Sequence, residues 1–185
     1  MARDAEMSRK IVFVTGGARC GKSGFALNAA SAIPGRKGFI ATATELDEEM
    51  RERIARHRAD RGAAWDTIEE PLQLAKAIEE AAGTFDVLVV DCLTVWLSNV
   101  MWSVPDVMEE VETLVRTCEK IRNRRCISLY IVSNEVGMGI VPANEVARKF
   151  RDLAGILSQK IAALSDEVYL VIAGIPIQIK GKGES

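Results

Sequence analysis

The chain has 185 residues, 48% hydrophobic and 27% charged, which suits one globular domain with a full core. A net charge of −2 provides no overall basic field for nucleic acid or an acidic membrane surface. Four scattered cysteines (Cys20, Cys92, Cys118 and Cys126) and a single histidine form neither a disulfide framework nor a zinc spacing.

Met1–Lys10 carries Asp4 and Glu6 and has no apolar core, so it does not read as a secretory signal. Apolar runs such as Val87–Val90 are too short to span a bilayer. A cytoplasmic protein is expected.

In chain order, Ile11–Thr15 reads as a strand and Ser23–Ile33 as a helix stopped by Pro34-Gly35. Phe39–Thr42 is a short strand. Thr44 to about Arg58 reads as a helix, with a capping box at Thr44 and Asp47 and with Leu46, Met50 and Ile54 on one face. A further helix is expected over about Leu72–Ala82, then a buried-type strand at Val87–Asp91. Ser103 and Asp106 suggest a capping box before a helix over Val107–Arg122, whose stripe is Val107, Val111, Leu114, Cys118 and Ile121. Ile127–Ser133 is a strand leading into a glycine-rich loop. Asn144–Leu164 is a long helix carrying Val146, Phe150, Leu153, Leu157 and Ile161. Val168–Ala173 is a strand, and Ile175–Lys180, with Pro176, belongs at a sheet edge after a turn at Gly174. The residues beyond Lys180 read as frayed. Continuous apolar strands between helices imply a mainly parallel sheet covered on both faces, with an antiparallel edge strand at the C-terminal end.

One motif dominates. Gly16-Gly17-Ala18-Arg19-Cys20-Gly21-Lys22-Ser23 matches G-x-x-x-x-G-K-[ST], after an expected strand and opening an expected helix. Glycines let the backbone curl so that successive N–H groups face phosphate oxygens, and the helix N-terminus adds positive potential. Lys22 would place a point charge near the outer phosphates, and Ser23 could ligate Mg²⁺. The expected architecture is therefore a P-loop α/β fold of the RecA-like kind, binding ATP or GTP. Asp91 closes the Val87-Leu88-Val89-Val90 strand, where a carboxylate meets the nucleotide crevice and can serve Mg²⁺ or accept a proton.

His57 continues the stripe of Leu46, Met50 and Ile54, which is what a packing histidine does. Arg53, Arg56, Arg58 and Arg61 surround it in sequence; neighbouring cations disfavour imidazolium and leave a neutral, nucleophilic ring. Those arginines also fit a bland role, since Asp47–Arg51, Glu49–Arg53 and Glu52–Arg56 are i,i+4 pairs. Residue chemistry alone leaves packing and catalysis both open for His57.

Beyond the P-loop the chain carries Ile40-Ala41-Thr42, Asp47-Glu48-Glu49-Met50 with Arg53-Ile54 and His57, Ser133-Asn134-Glu135-Val136-Gly137-Met138-Gly139-Ile140-Val141-Pro142, Ala147-Arg148-Lys149-Phe150-Arg151-Asp152 with Gly155, and Glu167-Val168-Tyr169-Leu170-Val171. With these it resembles, from about Ile11 to Lys180, the bifunctional adenosylcobinamide kinase / adenosylcobinamide-phosphate guanylyltransferase family of cobalamin biosynthesis. The Asn-Glu-Val-Gly-Met-Gly-Ile-Val-Pro stretch is the most specific part of that resemblance.

The resemblance implies two reactions. ATP or GTP phosphorylates the aminopropanol hydroxyl of adenosylcobinamide. GTP then gives GMP, through a guanylylated histidine that falls on His57, to adenosylcobinamide-phosphate, with pyrophosphate released. It implies nucleotide contacts at Gly16–Ser23, Ala41, Thr42 and Ala43, at Arg58, Ala59, Asp60 and Arg61, and at Glu69 and Asp91. It also implies Mg²⁺ and a trimer. Departures from the family pattern are Cys20 in place of a serine, Ser158 in place of asparagine, and the side chains at Ala64 and around Arg58–Arg61.

Two rivals remain on the residues alone. One is a small-molecule P-loop kinase with no covalent step. The other is a regulatory P-loop ATPase, whose partner surface Trp96, Met101 and Trp102 could supply, as they could equally supply a trimer contact.

Overall fold

The computed structural model describes residues 9–43 and 64–181. The helix expected over Thr44–Arg58 lies outside the described residues. So do His57, the Arg58–Arg61 group and all but Gly181 of the tail beyond Lys180.

Strands built from continuous apolar residues must be covered on both faces, and they are. Seven strands form one sheet: β1 (Ile11–Gly16), β2 (Lys37–Ala41), β3 (Trp65–Glu69), β4 (Val87–Asp91), β5 (Ser128–Asn134), β6 (Glu167–Ile172) and β7 (Ile175–Lys180). Their order is β3-β2-β4-β5-β1-β6-β7. All neighbouring pairs are parallel except β6–β7, which is antiparallel, as expected for the last strand.

The alternation of side chains divides the core. Ile11, Phe13, Ile40, Leu88, Val90, Leu129 and Ile131 point to one face. There they meet α2 (Leu74–Ala81), α3 (Leu93–Ser103), α4 (Val107–Arg124) and α5 (Glu145–Leu164). Val12, Val14, Phe39, Val87, Val89, Tyr130 and Val132 point to the other, against Ala26 and Ala30 of α1 (Lys22–Ser31). All five expected stripe residues of α4 are buried.

Several expectations need correction. Asp106 caps α4 by accepting from Glu109 N, but Ser103 is the last residue of α3 and takes no part in a capping box. Val146, placed in the stripe of α5, is 46% exposed, because the packed face begins only at Phe150. Neither β3 nor α3 was expected. Trp96, read as a candidate contact surface, is 1% exposed in the chain's own core, its indole N–H given to the Leu72 carbonyl at 2.8 Å. Met101 packs partly against the same core, and only Trp102 stands out, at 78% exposure.

Candidate functional site

Because β1 to β6 run parallel, their C-terminal ends share one edge. The order within the sheet sets who meets whom there. β5 lies between β1 and β4, so Asn134 pairs with Gly16 on one side while Asp91 pairs with Val132 on the other. Ligands of open parallel sheets bind at this edge.

The loop after β1 has the predicted form. A side chain on Gly16 would run into the Val171 carbonyl oxygen and come within 2.7 Å of Cys20 Sγ, so only glycine fits. Arg19 and Gly21 hold positive φ of 57° and 95°, curling the backbone before α1 begins at Lys22. Gly17, Ala18 and Arg19 are exposed. Cys20 offers its carbonyl to Gly174 N at 2.8 Å, which ties the loop to the β6–β7 turn. The backbone rather than the thiol makes that tie.

Lys22 is 6% exposed and donates from Nζ to the Gly17 carbonyl at 3.0 Å. The ammonium is thus held within the loop, beside the N–H groups that would face phosphate oxygens. Ser23 follows in the first turn of α1, half-buried.

Asp91 is half-buried at the end of β4. Next to it, the Cys92 thiol is pushed up in pKa, first by burial and second by the Asp91 carboxylate. The Thr94 hydrogen bond, the Val95 backbone and the Lys22 charge oppose the shift, so the Lys22 ammonium is felt at the end of β4. The arrangement therefore unites Gly16–Ser23 with Asp91 across the one intervening strand.

The other expected contacts lie further along the edge. Ala41–Ala43 end β2 beyond β4, and Glu69 ends β3 beyond that. At about 4.8 Å per strand, Glu69 stands roughly 19 Å from Gly16, so the two groups would touch opposite ends of a nucleotide at most. Ala41 and Ala43 are half-buried, whereas Thr42 has no exposed surface. Its hydroxyl donates to the Cys92 carbonyl and accepts from Cys92 N, both at 2.9 Å. Its own N–H goes to the Asp91 carbonyl and its carbonyl accepts from Asn99 Nδ2. These bonds tie Thr42 to Asp91 and Cys92 at the end of β4.

Sequence reasoning missed that bracing set. Asn99 also donates to the Pro71 carbonyl at 3.2 Å, joining the segments after β2 and β3 to α3. Asn134 donates to the Thr94 hydroxyl at 2.9 Å and toward Cys92 Sγ. Glu135 N reaches the Gly16 carbonyl at 2.9 Å. These contacts join residues tens of positions apart and leave no local pattern.

Ser23 and Asp91 offer one hydroxyl and one carboxylate, the sparse oxygen set by which Mg²⁺ is held together with nucleotide phosphates and water. No group of three or more potential metal-ligating side chains occurs among the described residues. No described helix is long and apolar enough to cross a membrane.

Comparison with known proteins bears on this edge as a whole. The CobU family, described as cobinamide kinase / cobinamide phosphate guanyltransferase, matches residues 12–179. A bifunctional adenosylcobalamin biosynthesis protein CobP from Pseudomonas aeruginosa is 41% identical over 171 residues, covering 91% of this chain and 96% of that one. Proteins named bifunctional adenosylcobalamin biosynthesis protein CobU are similar too. The one from Salmonella typhimurium is 37% identical and the one from Escherichia coli 36%, each alignment covering 92% of this chain and 99% of the relative.

Proposed function

The chain belongs to the cobinamide kinase / cobinamide phosphate guanyltransferase family, and from that premise we propose that it carries out both transfers as a single domain, with His57 as the covalent carrier of GMP. The observation that carries the reading is the β1–loop–α1 cradle. Its exposed backbone, its buried Lys22 and Asp91 at the end of β4 suit the phosphate chain of a nucleotide.

In the first transfer the cradle holds the terminal phosphates of ATP or GTP. The acceptor alcohol of adenosylcobinamide attacks the γ-phosphorus, the bond to the β-phosphate oxygen breaks, and the alcohol proton passes to Asp91 or solvent. Ser23, together with Asp91 where that carboxylate does not serve as the base, would hold Mg²⁺, which would supply charge neutralisation on the phosphates. Positioning by Gly16, Gly17, Ala18, Arg19, Cys20 and Gly21 is through backbone N–H groups.

In the second transfer the neutral His57 imidazole attacks the α-phosphorus of GTP, and pyrophosphate leaves into the same cradle, where Lys22 offsets its charge. A phosphate oxygen of adenosylcobinamide-phosphate then attacks the phosphoramidate, the N–P bond breaks, and adenosylcobinamide-GDP forms. Ala41, Ala43, Arg58, Ala59, Asp60, Arg61 and Glu69 are the proposed contacts of the nucleoside end. Support for them comes from the resemblance to the family and, for Ala41, Ala43 and Glu69, from their place on the same sheet edge. The protein is further proposed to be a cytoplasmic trimer.

The test is incubation with α-labelled GTP and Mg²⁺, then denaturing electrophoresis. Label bound to the chain, lost in mild acid and stable to alkali, marks a phosphoramidate. A chain that takes no label while still making adenosylcobinamide-GDP would refute the covalent route.

A further inference from the structure

A cleft of about 250 Å³ opens beside β5, apart from the phosphate loop itself. Asn134, Glu135, Val136 and Gly137 form one wall and Gly155 and Ser158 of α5 the other. The loop wall is braced. Glu135 Oε1 accepts from Gly137 N and from Met138 N, and the Arg148 guanidinium donates to the Pro142 and Ala143 carbonyls at 3.0 and 2.6 Å. Its tip nevertheless exposes Met138 at 81% and Ile140 at 97%.

The helix wall contains an unexplained choice. Gly155 stands in the interior of a 20-residue helix, where glycine is the worst residue short of proline. A Cβ added there would meet nothing within 4 Å, so the chain's own packing does not require glycine. The missing side chain leaves room on the cleft side.

Position and chemistry suggest the occupant. The floor of the cleft adjoins the cradle, since Asn134 pairs with Gly16 and Glu135 N is bonded to the Gly16 carbonyl. The two Asn134 amide hydrogens are directed to Thr94 and Cys92, and among the described residues nothing donates to its oxygen. The Ser158 hydroxyl and the carboxamide of Gln159, which also lines the cleft, likewise have no partner among the described residues. The volume equals that of about eight waters at ~30 Å³ each, enough for a short amide-linked chain and too little for a macrocycle.

We propose that this cleft receives the amide-linked alcohol arm of the corrinoid acceptor, with the ring resting outside on the Met138 and Ile140 tip. The arm is bound by Asn134, Ser158 and Gln159 through its amide, and its hydroxyl is delivered toward the terminal phosphate over Gly16. The inference rests on the corrinoid reading above.

The variants Gly155→Ala and Gly155→Leu test it. Both favour the helix and meet open space at Cβ, so both should fold and melt no lower than wild type. Binding of cobinamide, followed by its visible absorbance in equilibrium dialysis, should weaken at least tenfold in Gly155→Leu and less in Gly155→Ala. Affinity for a fluorescent GTP analogue should stay within twofold. If wild type binds no cobinamide, the corrinoid reading itself fails. If wild type binds and Gly155→Leu binds equally well, the cleft assignment alone is overturned. A changed mass of Gly155→Leu in light scattering would also overturn it, by showing the occupant to be a second copy of the chain.

Discussion

The Thr42–Cys92 bond pair allows a sharp test of what holds the functional edge together. Thr42→Val keeps the shape and removes only the hydroxyl, which accepts from Cys92 N and donates to the Cys92 carbonyl. The carbonyl retains a second partner in Trp96 N at 3.1 Å, but Cys92 N is left without one in a site that has no exposed surface at Thr42. An orphaned buried donor costs about 1–3 kcal/mol and the lost second bond about 1 more, so a total of about 2–4 kcal/mol is expected. For a chain of this size that lowers Tm by about 4–16 °C. Thr42→Ser keeps the hydroxyl, loses one methyl, and should cost only about 1 kcal/mol. Urea unfolding and thermal melts of both variants decide it. A volume argument alone predicts the opposite order, so a Thr42→Val protein as stable as Thr42→Ser would refute the hydrogen-bond reasoning.

Lys22→Ala should fold, since among the described residues its side chain bonds to the Gly17 carbonyl, and should lose about 10–100-fold in nucleotide affinity, the worth of one charge-assisted contact; unchanged binding of a fluorescent GTP analogue would refute this. His57→Ala should take no label from α-labelled GTP and make no adenosylcobinamide-GDP, yet still phosphorylate adenosylcobinamide; full labelling would place the intermediate elsewhere. Burial pushes Cys118 and Tyr130 each up to about 12, from 9.0 and 10.0, so folding favours their protonated forms. Their contribution is therefore full below pH 9 and is lost as pH rises toward 12, and urea midpoints equal at pH 8 and pH 11 would contradict it.

The legible parts of the fold are those whose cause is local. β1, β4 and β5 are buried on both faces, so their apolar runs stand out, and the bounds expected for β4 and β7 agree with the structure. β3 was missed because it is an edge strand. In Trp65-Asp66-Thr67-Ile68-Glu69 only Trp65 is buried, so no apolar run announces it. α3 was missed for the opposite reason. Leu93–Ser103 spreads its apolar residues around the helix, carries no side-chain cap, and has no charged face against which a helical period can be seen. The phosphate loop was legible because its eight residues are contiguous. The Thr42–Cys92 and Asn134–Thr94 bonds were not, because sheet order rather than sequence distance creates them.

Sheet order also explains how one edge can serve two transfers. With β5 set between β1 and β4, the cradle and Asp91 flank the end of a single strand, and Asn134 and Glu135 at that end line the cleft proposed for the corrinoid arm. The chain leaves the same edge at Ala43, on the far side of Asp91 from the cradle, to begin the stretch that contains His57. A triphosphate anchored by its outer phosphates therefore has two reachable phosphorus atoms with different neighbours. In the proposed mechanism the γ-phosphorus would lie toward the cleft beside β5, the side proposed for the alcohol. The α-phosphorus would then lie toward β4 and β2, the side where the described chain ends at Ala43 before the segment that contains His57. On this reading both reactions share one site for the departing phosphates and differ in which nucleophile approaches. Loss of Lys22 must then impair both transfers together, whereas loss of His57 must separate them.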